Sequence, residues 1–291
     1  MTGPASEFGE NGYCIVRGLI PAADVDRLLA LYRRDLLPSS HPFYRQSTGR
    51  WERNIRNEHG YVQNSFLDIH DYRMFAEFSA AARDIFCSTE MQRVLAEVTG
   101  RGAHRLVQSM FFDQNTATEA HQDRYYLDSV PGGELLAGWF ALEDIEERAG
   151  RFFIVPGSHR VEFSLTPAQL NDNDRYLRYM AEWMAGREPV APALKKGDVL
   201  FWSSATVHGS LPTQDASFSR RSLTAHYLPV NARYGDMRGV FPRQPRYGVH
   251  NEMPFVRDTK MYAPWKAAAW SAIERFPLLR RAVHAIKRRV G

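Results

Sequence analysis

Three side chains suited to binding a metal constrain the fold of this chain more than any other feature. His121 and Asp123 are separated by one residue, and His208 follows much later in the sequence. Strand side chains alternate between two faces, so an extended His-x-Asp segment presents both groups on one face. A strand carrying His208 must then lie beside that segment to complete the site. The pattern predicts a β fold that brings two distant strand edges together.

Apolar segments next to these residues support that prediction. Residues 106–112 read as a buried strand before His121, and residues 199–202 read as an apolar strand before His208. Alone, a His-x-Asp pair or a single histidine is more often a surface or core residue than a ligand. The strand context instead favours a 2-His-1-carboxylate triad, which leaves open coordination positions and is typical of non-haem Fe(II) oxygenases.

A third predicted strand, residues 220–228, begins with two arginines. Adjacent strand residues face opposite ways, so one of Arg220 and Arg221 is expected to point inward. A guanidinium pairs with a carboxylate through two parallel hydrogen bonds. The reading as an exposed surface cation fits Arg221 well.

With these residues in place, the chain resembles the phytanoyl-CoA dioxygenase family of Fe(II)/2-oxoglutarate oxygenases over roughly residues 8–230. The resemblance rests on residues 8–20, which look like the family's opening strand, a helix at 22–34, His121-Gln122-Asp123, the segment 150–160 with its Pro-Gly-Ser-His turn, and the segment 197–210. It implies a mainly β fold with flanking helices, a double-stranded β-helix (jelly-roll, cupin-like) barrel.

The resemblance also implies roles for individual residues. His121, Asp123 and His208 would bind Fe(II), and Arg220 would bind 2-oxoglutarate, with O2 as the other co-substrate. His159, in the Pro-Gly-Ser-His turn, would be structural and not a ligand. The predicted lining of the co-substrate pocket is Met110, Trp139, Ser210 and Gln108.

We expect one oxygenase domain over residues 1–291. Its jelly-roll core would span about 105–230, after an N-terminal helical and lid region, 1–104, and before a C-terminal extension, 231–291. A helical insert at 166–188 would shelter the barrel mouth. The first residues lack the pattern of a secretory signal, no apolar run is long enough for a bilayer span, and two cysteines do not make a disulfide framework. A cytoplasmic location is therefore expected.

Two regions are expected to choose the substrate. Residues 38–70 interleave arginines with aromatic residues, which fits either a binding lid or a surface loop whose aromatics pack inward. From this region we select Arg53 and Arg56, and from the segment after Asp123 we select Tyr125 and Tyr126. Arginines near the mouth would favour an acidic substrate, or one linked to a lipid or a carrier.

The net charge of +4 does not indicate a nucleic-acid partner, because no nucleic-acid motif accompanies it. Much of the excess lies near the C-terminus. Residues 277–291 combine apolar positions at helical spacing with a basic face, the pattern of an interfacial helix. Peripheral membrane contact and docking on the domain both remain open.

The sequence thus predicts a dioxygenase that hydroxylates an unactivated carbon of a small molecule, natural product, lipid or glycan and releases succinate and CO2. Two alternatives stay open. A cupin-like isomerase or hydrolase could use the same triad with another metal, although Arg220 and Ser210 argue against it. A non-catalytic sugar- or lipid-binding barrel would have no need of a complete triad.

Overall fold

The computed structural model describes residues 3–241, 245–257 and 276. One α-helix, α2, continues into a π-helical turn, Tyr32–Leu36. The α-helices are α1 (Pro4–Asn11), α2 (Ala22–Leu31), α3 (Ala76–Phe86), α4 (Thr89–Thr99), α5 (Pro167–Leu170) and α6 (Asn173–Met184). The strands are β1 (Tyr13–Val16), β2 (Phe43–Tyr44), β3 (Trp51–Glu52), β4 (Phe66–Leu67), β5 (His104–Phe112), β6 (Asp128–Ser129), β7 (Leu136–Ala141), β8 (Phe152–Ile154), β9 (Val199–Ser203), β10 (His208–Ser210), β11 (Ser222–Pro229), β12 (Tyr234–Asp236), β13 (Gly239–Val240), β14 (Tyr247–His250) and β15 (Met253–Val256).

The fold is a double-stranded β-helix with flanking helices, as predicted. Its main sheet has the strand order β1-β9-β7-β11-β5-β15-β14, and β4 also pairs with β5. β8 and β10 form a separate antiparallel ribbon, and β6, β12 and β13 form a small third sheet. The main sheet and the β8–β10 ribbon both contribute side chains to one cavity.

Strand β11 shows how the main sheet separates its two faces. Leu223, Ala225 and Tyr227 pack into the apolar cluster that also contains the buried faces of α2, α3 and α4. Thr224 and His226, at the intervening positions, line the cavity. This period of two follows from strand geometry, and it assigns one face of the sheet to the helical layer and the other to the site.

The insert between β8 and β9 is helical, as expected. Thr166 caps α5 through a capping box with Gln169, which satisfies backbone groups at the first turn of the helix. In α6, Tyr176 and Met180 are buried and pack beside Tyr125, whose ring stacks on Tyr176 at a centroid distance of 3.8 Å. The insert therefore packs directly on the segment that carries Asp123.

The opening strand is shorter than the sequence predicted. Residues 8–11 belong to α1, which starts with Pro4 at its first turn and ends where Gly12 adopts a left-handed conformation, φ +78°. Proline at the first turn and glycine after the last are the usual helix boundaries. The strand prediction is correct only for Tyr13–Val16.

Residues 38–70 form a packed wall of the molecule. Strands β2 and β3 pair with each other, and β4 joins the main sheet. Arg45 is fully buried, lies over the ring of Phe66 at 4.3 Å and donates to the carbonyls of Asn64 and Ser65. The aromatics of this region pack inward, and Tyr44, Gln46 and Leu67 also line the cavity, so a binding role for the region keeps its support.

Three further features concern the cysteines, membrane-spanning helices and the C-terminal segment. Cys14 and Cys87 are free, buried thiols, and burial raises the pKa of Cys87 to about 12. In the part of the chain that the structure describes, no helix is long and apolar enough to cross a membrane. The predicted basic helix at 277–291 lies outside the described residues.

Candidate active site

Backbone pairing brings the three predicted metal ligands together. His121 and His208 form an antiparallel β-bridge in which each N–H donates to the other carbonyl at 3.0 Å. The Oδ1 atom of Asp123 lies 3.7 Å from Nε2 of His121 and 3.5 Å from Nε2 of His208. One ligand atom from each residue lies within 4.8 Å of the other two.

The segment carrying Asp123 differs from the extended pair that the sequence predicted. Asp123 opens a short 3-10 helix, Asp123–Tyr125, after His121 has made its bridge. The turn keeps the carboxylate next to both imidazoles. The side chain of Arg124 bonds to Gln122, two residues back.

Hydrogen bonds to the outer ring nitrogens fix the tautomers of both histidines. Nδ1 of His121 lies 2.8 Å from the carbonyl of Glu119, and Nδ1 of His208 lies 2.9 Å from the carbonyl of Thr206. A carbonyl only accepts, so each Nδ1 carries the proton and each Nε2 lone pair faces the cluster. Burial also lowers the pKa of His208, which favours the neutral, metal-binding form.

The second oxygen of Asp123 is held by residues that sequence reasoning did not select. Nε1 of Trp202 donates to Oδ2 at 2.9 Å, and Nε2 of His226 lies 3.4 Å from the same atom. Burial alone would raise the pKa of Asp123, but the neighbouring His208 and His226 and hydrogen bonds within the cluster hold it well below its usual value. His226 could have been found by counting alternate residues from Arg220 along the predicted strand.

Arg220 is a buried cation with no acidic partner among the described residues. It is 2% exposed and donates through Nη1 to the carbonyl of Gly150 and the hydroxyl of Ser210, both at 2.9 Å. Burial lowers its pKa to about 9. Its Nε has no hydrogen-bond partner. Such a group is suited to an anionic ligand.

Arg221 points to the opposite side, but it is not the exposed cation that we expected. It pairs with Asp113 at 3.0 Å and with Glu143 at 3.1 Å. Asp113 is itself buried and also accepts from the hydroxyl of Tyr32. Arg221 therefore belongs to a structural ion-pair network and not to the cavity.

The triad and Arg220 line a single cavity of about 400 Å³. The predicted co-substrate residues Met110, Trp139, Ser210 and Gln108 line it as well, and so does Tyr126. The structure does not bring Arg53, Arg56 or Tyr125 to this cavity: Arg53 and Arg56 are exposed, the Arg56 guanidinium donates to the carbonyl of Leu37, and the Tyr125 ring stacks in the apolar cluster under α6. His159 lies against Gly12, outside the triad.

Comparison with known proteins agrees with this geometry. The family model described as phytanoyl-CoA dioxygenase matches residues 8–222. The human peroxisomal phytanoyl-CoA dioxygenase is 21% identical over 248 residues, which cover 80% of this chain and 70% of that protein.

Solved structures with the same fold include two complexes. The structure of EctD from S. alaskensis with 2-oxoglutarate and 5-hydroxyectoine is 19% identical, covers 86% of each chain and has a TM-score of 0.59. The epimerase SnoN in complex with Fe3+, alpha ketoglutarate and nogalamycin RO is 19% identical, covers 88% of this chain and 95% of its own, and has a TM-score of 0.57.

A double-stranded β-helix with two histidines and a carboxylate at one cavity defines the class of non-haem iron oxygenases. Within that class, this chain belongs to the phytanoyl-CoA dioxygenase family. It is an Fe(II)- and 2-oxoglutarate-dependent dioxygenase.

Proposed function

We propose that the enzyme hydroxylates an unactivated carbon of a small molecule, with Fe(II) on His121, Asp123 and His208 and 2-oxoglutarate on Arg220. The observation that carries this proposal is the buried, uncompensated charge of Arg220 in the same cavity as the triad. A buried cation without a counter-ion is costly unless a ligand supplies the opposite charge. The far carboxylate of 2-oxoglutarate supplies it.

The donor set fits Fe(II). Two neutral imidazole nitrogens and one carboxylate form the facial arrangement of non-haem iron sites, and both imidazoles are oriented by backbone carbonyls. Trp202 holds the second carboxylate oxygen, which directs Oδ1 of Asp123 toward the histidines. These contacts would hold the ligands in place with little rearrangement.

The surroundings of Arg220 fit a short dicarboxylate. The hydroxyl of Ser210 accepts from Arg220 and lines the cavity beside it. Met110 and Trp139 supply apolar walls between Arg220 and the triad, and Arg220 also lies 5.8 Å from the centre of the Trp139 ring. A chain of methylene groups would pack there, while the two ends of the ligand meet charged groups.

Bound Fe(II) and 2-oxoglutarate would supply the oxidising chemistry, in which O2 and 2-oxoglutarate give succinate, CO2 and a hydroxylated substrate. The protein's own contribution is to position both ligands and to exclude water. The buried side chains of Phe152 and Trp202 beside His208 serve the second purpose. No described side chain needs to act as a general acid or base.

A small-molecule substrate is supported by the size of the cavity, since a space of about 400 Å³ lies in the lower part of the usual range for ligand sites. The neighbours' complexes with 5-hydroxyectoine and nogalamycin RO also hold small molecules. The expectation of an acidic or carrier-linked substrate rested mainly on Arg53 and Arg56, which do not line the cavity. A location in the cytoplasm, with peripheral membrane contact through residues 277–291, stays a prediction.

Succinate release tests the proposal. Purified enzyme with Fe(II), 2-oxoglutarate and O2 should form succinate even without substrate, at a slow uncoupled rate, and His121→Ala should abolish it because an open three-ligand site has none to spare. A matched control is His59→Ala, which removes an exposed histidine that does not line the cavity. Equal succinate formation by wild type and His121→Ala would refute the assignment, and metal-dependent turnover without 2-oxoglutarate would favour the isomerase or hydrolase.

A further inference from the structure

The two ends of the cavity differ in chemistry. Along β11, Arg220 precedes the strand, Thr224 pairs with Met110, and His226 pairs with Gln108. If 2-oxoglutarate extends from Arg220 to the triad, it passes the pair formed by Thr224 and Met110. The pair formed by His226 and Gln108 lies one step further along the sheet, at the end that the co-substrate does not need.

His226 is a buried polar side chain without a hydrogen-bond partner. It is 2% exposed, lines the cavity, and neither ring nitrogen makes a hydrogen bond within the described part of the chain. An imidazole offers a donor and an acceptor or two donors, and leaving such buried groups unsatisfied destabilises the protein. The amide of Gln108, opposite His226, also makes no side-chain hydrogen bond to the residues that the structure describes. Both groups face the cavity next to Asp123.

Aromatic rings also line the cavity. Tyr234 and Phe241 pack edge to face with ring centroids 4.7 Å apart, and the Tyr126 ring lies 5.7 Å from that of the ligand His121. The hydroxyl of Tyr126 is already bonded to Asn173. These rings therefore offer mainly apolar surface to a ligand.

Ionic groups are scarce in this lining. Apart from histidines, the described residues that line the cavity include only Asp123 and Arg220 as charged side chains. Asp123 is assigned to the metal, and Arg220 is assigned to 2-oxoglutarate. An ionised substrate would lose its hydration without gaining a partner, which is strongly unfavourable in a protein interior.

We propose that the substrate is a compact, uncharged molecule. Its apolar or aromatic body packs against Tyr126, Tyr234 and Phe241, and its hydroxyl, carbonyl or amide group hydrogen-bonds to Gln108 and His226. This inference rests on the proposed function, because it assigns Arg220 and the triad to the co-substrate and the metal.

Three probes with the same ring system and different charge test the inference: 2-naphthol, naphthalene-2-carboxylate and 2-naphthylmethylamine. Each is titrated by calorimetry, without O2, into enzyme loaded with Fe(II) and 2-oxoglutarate. The neutral naphthol should bind at least about tenfold more tightly than either ion, a conservative share of the penalty for an unpaired buried charge. Equal or tighter binding of an ion, or no binding of the naphthol, would overturn the proposal.

Variants locate the binding site. Gln108→Leu, which removes the amide without touching a metal ligand, should weaken naphthol binding about two- to tenfold through the loss of one hydrogen bond. His226→Phe should weaken naphthol binding to a similar degree. His59→Ala is the control and should leave naphthol binding unchanged. Unchanged naphthol binding in Gln108→Leu and His226→Phe would reject their role.

Different results would refute the proposed function and the proposal about the substrate. Loss of the proposed function would appear as no uncoupled succinate release from the wild-type enzyme, whatever the probes do. Failure of the substrate inference would appear as normal succinate release together with a preference for the carboxylate or the ammonium probe.

Discussion

Replacing Arg220 with methionine should separate co-substrate binding from stability. The substitution keeps an apolar stem of similar shape and removes a guanidinium whose hydrogen-bond partners among the described residues are Gly150 and Ser210. Removing one partner of a buried, hydrogen-bonded charge pair costs about 2–5 kcal/mol in binding. The Kd of 2-oxoglutarate should therefore rise about thirtyfold to several thousandfold.

The free energy of unfolding of Arg220→Met should stay close to that of the wild type or rise slightly, because the wild-type protein buries this charge without an acidic partner in the described chain. Ligand stabilisation should be lost. At a concentration one hundred times the wild-type Kd, 2-oxoglutarate stabilises the folded state by about 2.7 kcal/mol, and a thirtyfold weaker Kd reduces that to less than about 1 kcal/mol. Anaerobic calorimetric titration gives the Kd, and thermal unfolding with and without 2-oxoglutarate gives the stabilisation.

Arg221→Met is the matched control, with the opposite pattern. It breaks the pairs with Asp113 and Glu143 and leaves a buried carboxylate short of a partner. We expect it to lower the free energy of unfolding by about 2 kcal/mol, less than for a fully buried pair because Arg221 is partly exposed, and to leave the Kd of 2-oxoglutarate unchanged. If Arg221→Met weakened 2-oxoglutarate binding more than Arg220→Met, the register that places Arg220 in the cavity would be wrong.

Other perturbations test separate parts of the structure. Asp123→Ala should purify without iron, measured by a colorimetric iron assay, because it removes one of three ligands; normal iron content would contradict the site. His70 should contribute about 2.5 kcal/mol to a fall in the unfolding free energy as pH drops from about 6.5 to 4, because burial lowers its pKa to about 4 and the unfolded chain binds the proton first; His104, whose pKa burial also lowers to about 4, should add to that fall. Urea titrations across that range check this, and His70→Gln should flatten the slope. Gly12→Ala should lower the free energy of unfolding by about 1–3 kcal/mol in the same titrations, because φ is +78° and the new Cβ would lie 2.3 Å from Nδ1 of His159. An unchanged midpoint of the urea transition would mean that the turn relaxes without strain. Deleting residues 277–291 should abolish sedimentation with anionic vesicles at low salt and leave uncoupled turnover intact; a full-length protein that ignores vesicles would rule out the membrane role.

The sequence predicted those parts of the site that depend on residue type and strand period. His121, Asp123 and His208 were recognisable because ligands at strand edges have a local signature. The alternation along residues 220–228 showed that Arg220 and Arg221 face opposite ways, and the family resemblance selected Arg220. The same alternation leads to His226, but its proximity to Asp123 depends on how β11 lies beside the segment after His121. That contact has no local signal.

Other differences arise where a few local groups decide between two structures. The family resemblance placed residues 8–11 in an opening strand, yet Pro4 and the left-handed Gly12 mark the ends of a helix. In residues 38–70, the interleaved arginines suggested an ionic substrate site. Arg45 instead stacks on Phe66 within the core, so the positive charges of that region could not be assigned to a cavity from the sequence alone.

The bridge between His121 and His208 has a consequence for the choice of metal. Paired backbone hydrogen bonds set the spacing of the two imidazoles, so the ligand cage is part of the fold and is not assembled around a particular ion. Two imidazoles and a carboxylate bind Cu²⁺ and Zn²⁺ more strongly than Fe²⁺ in the general order of affinities. The ion that the cell supplies then decides which metal the site holds. Protein overproduced in zinc-rich medium would fold correctly but carry Zn²⁺ in place of Fe²⁺.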